Sequence, residues 1–368
     1  MAEMKKALKK VKPYVPGKPV EEVKRELGLE TVYKLASNEI PFPPAYIGKA
    51  VMAEIDQISR YPEASCFYLR KILAKKLKVS PDQLVFGNGS DDILVMALRA
   101  FLEKKDEIII GFPTFLIYEI QGLIEEARVT RVPFKNNRLD LEAMAAAVSR
   151  KTKLIFVANP DNPHGTYVTD KEVERFLKKI PREILVLFDE AYYEFVTARD
   201  FPRTLDLIRK RGNIILTRTF SKAYALAGLR VGYAVTSPEI ARILDTVRDP
   251  FNVNRFAQVC AAVALDQKAF LKKVKNLVEK GKEYIYKELD KLGLEYVKSQ
   301  TNFILIDFGR DTAELNRYLL SQGVIVRMLC GWGLKRYFRV TVGLQKENRA
   351  FIKALKAFMK KQGIAFRG

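Results

Sequence analysis

Short, nearly continuous apolar runs alternate with helix-spaced segments from about residue 80 of this chain. The runs are rich in β-branched residues and predict buried strands at 83–87, 106–113, 153–160, 183–190, 213–220 and 230–235. Between them, apolar residues recur at helical spacing at 91–102, 114–126, 139–149 and 169–179. Such alternation predicts an α/β fold in which helices cover both faces of a mostly parallel sheet.

The pattern changes after residue 253. One or two long helices are predicted over 254–291, followed by strands at 301–308, 323–327 and 337–343 and helices at 311–322 and 346–361. This order predicts a second, smaller α+β unit. The first 40 residues contain three prolines (Pro13, Pro16 and Pro19) and are predicted to dock against that unit or against a partner chain.

Charge is the most unusual feature of the composition. The 368 residues carry a formal net charge of +21, with 48% hydrophobic and 29% charged residues. A nucleic-acid-binding protein is the alternative that this charge suggests, and it would place basic residues on one face with interleaved aromatic residues. The basic doublets are instead spread along the chain on the polar faces of predicted helices, which favours a solvated surface and a protein that binds no nucleic acid. Such a surface would also attract a small anionic substrate.

Cysteine and histidine are too scarce for several kinds of site. Three cysteines cannot form a disulfide framework, and with a single histidine, His164, they exclude a Cys/His zinc site. No metal site is expected, and a proton-transferring residue is expected to be something other than histidine. No apolar run reaches the roughly 18 residues that a membrane span needs. The first twelve residues lack an apolar signal core, so a cytoplasmic location with no membrane partner is expected.

Polar residues follow four of the predicted strands, at the edge where ligands bind in open α/β sheets. They are Gly87-Asn88-Gly89-Ser90-Asp91, Asn159–Pro163, Asp189-Glu190 and Ser221-Lys222. The first segment fits either an anion site at a helix N-terminus or a simple turn before a capped helix. A lysine at such an edge can become a nucleophile when burial lowers its pKa, and Arg230 could hold a phosphate.

Together these motifs resemble those of the fold-type I pyridoxal-phosphate aminotransferases, and more narrowly the histidinol-phosphate aminotransferases. The general match lies in GNGSDD, PTF, NPDNPHG, DEAYYEF, RTFSKAYALAGLRVGY and FRVTVG, and the narrower one in KLASNEIPFPP, RYPEASCFYLRKILA and PFNVNRFAQ. The resemblance implies a large domain, in which a mostly parallel mixed sheet lies between helices, and a smaller α+β domain. The expected boundaries are 1–44 for an N-terminal arm and part of the small domain, 45–255 for the large cofactor-binding domain and 256–368 for the small domain.

The resemblance also assigns roles to residues. Lys222 would form the Schiff base with pyridoxal 5'-phosphate and carry the proton, Asp189 would pair with the ring nitrogen, and Tyr192 would bind the phenolic oxygen with Asn162. Phe115 would stack on the ring. The phosphate would be held by Gly89, Ser90, Asp91 (through the helix that begins there), Thr219, Ser221, Arg230 and, from the neighbouring subunit of a homodimer, Tyr61.

Substrate recognition is implied in the same way. Arg339 would bind the substrate carboxylate and Arg327 its anionic end, with Asn162 and Tyr61 also in contact. The implied reaction is a ping-pong transfer of the amino group from L-histidinol phosphate to 2-oxoglutarate, giving imidazole acetol phosphate and glutamate in histidine biosynthesis.

Two segments depart from the family pattern: the first retains Asn162 and so keeps the chemistry, whereas the second leaves the substrate open. Asp161 and His164 replace the usual asparagine and threonine in NPDNPHG, with His164 expected to pack in a loop or face solvent. The segment 328–338 is unusual and is expected to bring Trp332, Lys335 and Arg336 close to the substrate arginines. An aromatic amino-acid aminotransferase of the same subfamily is an alternative, because an arginine that binds a phosphate can also bind a carboxylate. A decarboxylase or lyase of the same fold, with the same cofactor residues, is a further one.

Overall fold

The computed structural model describes residues 3–364, which form two β-sheets with helices packed on both. Twelve strands occur in this part of the chain: β1 Tyr33–Leu35, β2 Leu84–Gly87, β3 Glu107–Phe112, β4 Arg128–Pro133, β5 Thr152–Ala158, β6 Leu185–Asp189, β7 Ile214–Thr219, β8 Gly232–Val235, β9 Glu295–Tyr296, β10 Phe303–Asp307, β11 Val324–Met328 and β12 Tyr337–Thr341. Seven strands form the large sheet and five form the small sheet.

Helices account for most of the remaining structure. The α-helices of residues 3–364 are α1 Val20–Leu27, α2 Gly48–Glu54, α3 Phe67–Leu77, α4 Ser90–Phe101, α5 Leu116–Ile124, α6 Leu141–Ala146, α7 Asp170–Lys179, α8 Thr204–Arg211, α9 Pro238–Thr246, α10 Arg255–Ala264, α11 Lys268–Leu292, α12 Ala313–Ser321 and α13 Gln345–Lys361. Short 3₁₀ helices lie at Lys6–Lys10, Ala45–Ile47, Ile55–Gln57, Pro81–Gln83, Tyr193–Phe195, Ala227–Leu229 and Cys330–Trp332. None of the helices described is long and apolar enough to cross a membrane.

The large sheet has the strand order β2-β8-β7-β6-β5-β3-β4. All its strands run in one direction except β8, which is antiparallel to both of its neighbours. Its central strands β5 and β6 are almost wholly buried, because helices cover both of their faces. The α/β fold with a mostly parallel mixed sheet is therefore confirmed.

The small sheet has the order β1-β11-β12-β10-β9 and its own hydrophobic core against α11, α12 and α13. β1 lies in the N-terminal 44 residues and pairs in parallel with β11, so the arm completes this sheet. The domain boundaries at 44/45 and 255/256 remain predictions.

Each predicted strand and helix has a counterpart, with local differences. The segment 254–291 forms two helices, α10 and α11, because the chain turns at Leu265–Gln267. Strand β4 was missed because it is the edge strand of the large sheet and its residues are mostly exposed or half-buried, so its sequence shows no apolar run. Helix α4 begins at Ser90, one residue before the predicted start.

The topology brings the motifs together. Since β2, β5, β6 and β7 run in the same direction, the polar segments that follow them meet at one edge of the large sheet. The small sheet lies across from this edge and supplies Arg327 from β11 and Arg339 from β12. The cleft between them is the candidate site.

Candidate active site

A cleft of about 340 Å³ lies where the two sheets meet. It brings together nearly all of the residues predicted from the sequence: Ser90, Asp91, Phe115, Asn162, Asp189, Tyr192, Thr219, Ser221, Lys222, Arg230, Arg327 and Arg339. These residues come from eight separate segments of the chain. A constellation this dispersed is assembled only by the fold.

Lys222 lies just beyond the end of β7, in the cleft. Its Nζ donates to the backbone oxygen of Ser37 (3.3 Å) and stands 5.8 Å from the ring centre of Tyr192. Burial, together with the positive charge of Arg339, lowers the pKa of Lys222 from 10.5 to about 8. Such a lysine reaches its neutral, nucleophilic form close to physiological pH.

Asp189 is the last residue of β6 and is almost fully buried. Its Oδ2 accepts a hydrogen bond from the Tyr118 hydroxyl (2.6 Å), and its Oδ1 accepts from the Thr217 hydroxyl and the Ala191 N–H (both 3.2 Å). Burial raises the pKa of Asp189 to about 6, although these hydrogen bonds favour the charged form. A carboxylate held in this way favours a cationic group placed against it, which fits a protonated ring nitrogen.

The end of β2, the start of α4 and Arg230 form a cradle for an anion. Arg230 Nη1 donates to Ser221 Oγ (3.3 Å), and its Nη2 lies 3.7 Å from the Asp91 carboxylate. Gly89 has a φ of 86°, which residues with a side chain rarely adopt, and a Cβ atom there would lie 2.4 Å from Arg230 Nη2, so a larger residue would strain the turn and displace the guanidinium. The free N–H groups at the start of α4 adjoin this guanidinium, as a phosphate group requires.

Arg327 and Arg339 face each other directly across β11 and β12. Arg339 is buried; it donates to Asn162 Oδ1 and to the backbone oxygen of Ala36 (2.7 Å). Its Nε is buried without a hydrogen-bond partner in the part of the chain that the structure describes. Burial lowers the pKa of Arg339 to about 10, which still leaves it charged at neutral pH. Two adjacent guanidinium groups, one with an unused donor, suit an anionic substrate.

Trp332 connects the unusual segment 328–338 to this cleft. Its indole Nε1 donates to the backbone oxygen of Thr114 (2.7 Å), the residue before Phe115. Its ring lies 4.9 Å from the guanidinium of Arg327, a cation–π distance. Trp332 therefore reaches the arginines as expected.

Lys335 and Arg336 were expected near the same arginines, and that expectation is wrong, since neither lines the cleft. Arg336 is held by both carboxylate oxygens of Asp307 (2.7 and 2.6 Å) at the other end of β12 from Thr341. The backbone oxygen of Lys335 accepts hydrogen bonds from Thr312.

Tyr61 is separate from the cleft of its own chain. Its side chain is 78% exposed, and its ring stacks on Phe251 with 4.7 Å between ring centres. Its backbone oxygen accepts from Arg255 Nη2 (3.0 Å), and Tyr61 is not among the described residues that line the cleft. This placement is compatible with the predicted role only if Tyr61 serves a second subunit.

His164 is buried and does not line the cleft. Its Nδ1 lies 2.8 Å from Asp161 Oδ2, and its ring stacks on Phe134 at 4.0 Å. The Thr114 hydroxyl donates to the other oxygen of Asp161 (2.5 Å). The two residues that depart from the family pattern are thus partners, and they hold the loop that carries Asn162.

Comparison with known proteins identifies the family. A family model described as aminotransferase class I and II matches residues 30–355. The chain belongs to this family. This aminotransferase is 46% identical over 357 residues to histidinol-phosphate aminotransferase from Moorella thermoacetica, covering 96% of this chain and 92% of the relative. It is 42% identical over 365 residues to the protein of the same name from Anoxybacillus flavithermus, covering 99% and 98%.

A solved structure agrees with these relatives. The crystal structure of histidinol-phosphate aminotransferase from Sinorhizobium meliloti in complex with pyridoxal-5'-phosphate matches with a TM-score of 0.90 at 28% identity. The match covers 98% of this aminotransferase and 99% of that chain. The resemblance indicated by the sequence motifs is confirmed.

Sequence reasoning missed several residues of the aminotransferase site. Asn38 lies in the quoted motif KLASNEIPFPP, yet nothing in the motif indicates that its side chain donates to the Tyr192 hydroxyl (2.8 Å). Its neighbours Ala36 and Ser37 offer backbone oxygens to Arg339 and Lys222, which no side-chain pattern can show. Tyr118, the hydrogen-bond donor to Asp189, looked like one more apolar residue of a helix.

Proposed function

We propose that the protein is a pyridoxal-phosphate-dependent aminotransferase of histidine biosynthesis. It would convert L-histidinol phosphate and 2-oxoglutarate to imidazole acetol phosphate and glutamate. The observation that carries the proposal is one cleft holding a lysine of lowered pKa, a buried carboxylate, an anion cradle and two facing arginines. The substrate follows from the two relatives named above, which are 46% and 42% identical over nearly their full lengths.

The residues present fit the cofactor. Pyridoxal phosphate, when bound, supplies an electron sink next to the carbon that exchanges its proton. Arg230, Ser221 and the start of α4 would hold its phosphate, and Asp189 would keep its ring nitrogen protonated. Phe115 would cover the ring, while Asn162 and Tyr192 would bind its phenolic oxygen. Gly89 would leave space for Arg230, and Thr219 would support Ser221, whose N–H donates to the Thr219 hydroxyl (3.1 Å).

Lys222 would act as the nucleophile and as the group that moves the proton. Its partner is a neutral backbone oxygen rather than a carboxylate, so within residues 3–364 no ion pair holds it in the charged form. The amino group of the donor would be retained by the enzyme in the first half-reaction and passed to the 2-oxo acid in the second.

Arg327 and Arg339 would recognise the anionic parts of both substrates. Two positive groups can bind the phosphate of histidinol phosphate in one half-reaction and a carboxylate of glutamate in the other. An aromatic amino-acid aminotransferase is the second candidate, because Trp332 lines the same cleft and could pack against the aromatic ring of a substrate.

The proposed assembly is a homodimer with shared sites. Large apolar side chains are exposed on α2, α3 and the segment between them: Met52, Ile55, Ile58, Tyr61, Phe67, Tyr68 and Ile72. We refer to these side chains as the apolar face, since so many exposed apolar side chains in one segment are typical of a subunit interface. Since Tyr61 lies on it, a second copy of the chain docked here would receive Tyr61 near its own phosphate cradle.

A cytoplasmic location is part of the proposal. All three cysteines, Cys66, Cys260 and Cys330, are free thiols, which suits a reducing compartment. Activity recovered in the soluble fraction after cell lysis would support this location, whereas recovery in an extracellular fraction would contradict it.

The proposed function is tested with purified protein supplied with pyridoxal phosphate. We expect a visible absorption band that borohydride abolishes, and glutamate formation from histidinol phosphate and 2-oxoglutarate. Lys222→Ala is the control, and it should lose the band and nearly all transamination while remaining folded. If Lys222→Ala kept its turnover within about tenfold of the wild type, the assignment of the site would be wrong.

A further inference from the structure

Asn38 is buried where the N-terminal arm, the small sheet and Tyr192 meet. Its side chain donates from Nδ2 to the Tyr192 hydroxyl (2.8 Å), and its Oδ1 accepts from the Thr341 hydroxyl (3.0 Å). Its backbone N–H in turn donates to Thr341 Oγ1 (3.0 Å). We propose that Asn38 and Thr341 are positioning residues that aim the hydroxyl proton of Tyr192 at the phenolic oxygen of the cofactor. This inference rests on the proposed function.

The hydrogen-bond directions follow from the chemistry of the groups. A backbone N–H can only donate, so Thr341 Oγ1 accepts from the Asn38 backbone N–H. The hydroxyl proton of Thr341 is donated to the side-chain oxygen of Asn38, which fixes that oxygen on the Thr341 side. The NH₂ group of Asn38 must then face Tyr192.

The Tyr192 hydroxyl is the last group in this series of hydrogen bonds. Because its oxygen accepts a hydrogen bond from Asn38, its single proton is free to be donated in another direction. Tyr192 lines the cleft beside Lys222, whose Nζ lies 5.8 Å from the centre of its ring, so a group bound in the cleft would be the acceptor for this proton. Without Asn38 the hydroxyl could rotate and act as an acceptor or as a donor. With Asn38 in place it acts as a donor toward the cleft.

The backbone at Asn38 is suited to this role. Its φ of 57° lies in the left-handed region, which asparagine and glycine adopt more readily than other residues. Its backbone oxygen also accepts from Asn302 Nδ2 (3.0 Å), a contact that does not involve the side-chain amide. Thr341 is two positions from Arg339 on β12 and therefore lies on the same face of the sheet. The strand that carries the substrate arginine thus also orients Tyr192.

A purely structural role for Asn38 is separable by experiment. The readout is the pH titration of the visible absorption band of the holoenzyme, with the dissociation constant of the cofactor as a second measurement. The chromophore is the cofactor bound to Lys222, and its unprotonated form carries a negative charge on the phenolic oxygen. A hydrogen-bond donor at that oxygen stabilises the unprotonated form and so lowers the pKa of the chromophore. Loss of the donor should raise that pKa.

The variants are Asn38→Gly, which removes the side chain without backbone strain, and Thr341→Val, which leaves the amide free to rotate. We expect each to raise the pKa of the chromophore, by about half a pH unit or more for Asn38→Gly, toward the value of Tyr192→Phe. Thr341→Ser, which keeps the hydroxyl, should titrate like the wild type. Asn302→Ala is the matched control. It removes a hydrogen bond to the Asn38 backbone oxygen but leaves the hydrogen bonds from Thr341 to Asn38 and from Asn38 to Tyr192, so it should also titrate like the wild type.

Double variants decide the question. In a Tyr192→Phe background, Asn38→Gly should cause no further shift, because the residue acts through Tyr192. An equal shift in both backgrounds, a shift shared by Asn302→Ala, or an unchanged titration in folded Asn38→Gly and Thr341→Val would overturn the inference. If the wild-type protein lacked a Lys222-dependent band, the proposed function would fail as well, and this result is distinct from an insensitive band.

Discussion

At the scale of single residues, burial shifts the pKa values of Lys222 and Asp189 in opposite directions, and both shifts favour the neutral form of the side chain. It lowers the pKa of Lys222 to about 8 and raises the pKa of Asp189 to about 6, so each charged form is disfavoured in the free cleft. A cofactor that brings a protonated ring nitrogen to Asp189 and an aldehyde to Lys222 would relieve both. The burial of Lys222 and Asp189 would therefore increase the affinity of the site for such a cofactor.

The pH dependence of cofactor capture follows from the pKa of Lys222. Only the neutral amine attacks an aldehyde, and for a pKa of about 8 the neutral fraction rises about tenfold between pH 7 and pH 9. We expect the second-order rate of combination of the apoenzyme with pyridoxal phosphate, followed by absorbance, to rise about tenfold over this range and then level off. A rate that still climbed about eightfold from pH 9 to pH 10 would mean that the lysine keeps its ordinary pKa of 10.5.

Asp189 is tested by removing its charge at nearly constant shape. Asp189→Asn should lower turnover by about two orders of magnitude or more, because an amide cannot keep the ring nitrogen protonated. Cofactor should still bind through the phosphate contacts of Arg230 and Ser221, as measured by equilibrium dialysis. Tyr118→Phe is the matched control, since it removes one hydrogen bond from Asp189 but leaves the carboxylate, and it should cost much less. Wild-type turnover in cofactor-loaded Asp189→Asn would remove Asp189 from the mechanism.

At the scale of elements, the pairing of β11 with β12 sets two like charges side by side. Like charges directly opposite each other destabilise a sheet, and Arg327 is held there by a hydrogen bond to the backbone oxygen of Val15 (2.7 Å) and by the ring of Trp332. A dianionic phosphate would relieve this repulsion, whereas a neutral aromatic side chain would not. The register of two strands thus favours an anionic substrate.

Substrate preference can be measured on this basis. We expect kcat/KM for histidinol phosphate to exceed that for phenylalanine or tyrosine by about tenfold or more, equivalent to about 1.4 kcal/mol of transition-state binding. Arg327→Ala should reduce the phosphate reaction more than the aromatic ones. Arg336→Ala is the control, because Arg336 is held by Asp307 and lies outside the cleft. Comparable wild-type kcat/KM values for histidinol phosphate and phenylalanine would favour the aromatic aminotransferase instead.

The sequence was informative about elements whose burial is nearly uniform. The buried strands β5, β6 and β7 are apolar runs that end in polar motifs, so the sheet and the ligand edge could both be predicted. Edge strand β4 and the short β1 are mostly exposed or half-buried, so they have no such apolar run. They are held in place by pairing with β3 and β11. The sequence predicted that Arg336 lies near Arg339, but Arg336 is paired with Asp307 outside the cleft, a contact that no local pattern indicates. Contacts between distant segments, such as Asn38 with Tyr192, leave no local pattern.

At the scale of the whole molecule, large apolar side chains are exposed on α2, α3 and the segment between them. This apolar face would be covered in a homodimer, and the exposed Tyr61 would then reach the partner's phosphate cradle. A single chain contains every other predicted cofactor residue in or beside its cleft. Each site would therefore need one residue from the other subunit.

Mixed dimers test this arrangement. A Lys222→Ala chain is inactive but supplies an intact Tyr61, and a Tyr61→Phe chain retains Lys222 but should bind cofactor weakly. If the sites are shared, the heterodimer contains one site with both wild-type residues and one site with both substitutions. Cofactor affinity measured for the active sites of the mixture should therefore return toward the wild-type value. Tyr68→Phe, an exposed tyrosine on the same face, is the control partner and should bind cofactor normally by itself. If heterodimers form, as shown by mass spectrometry, and affinity stays at the Tyr61→Phe value, each site is built within one chain.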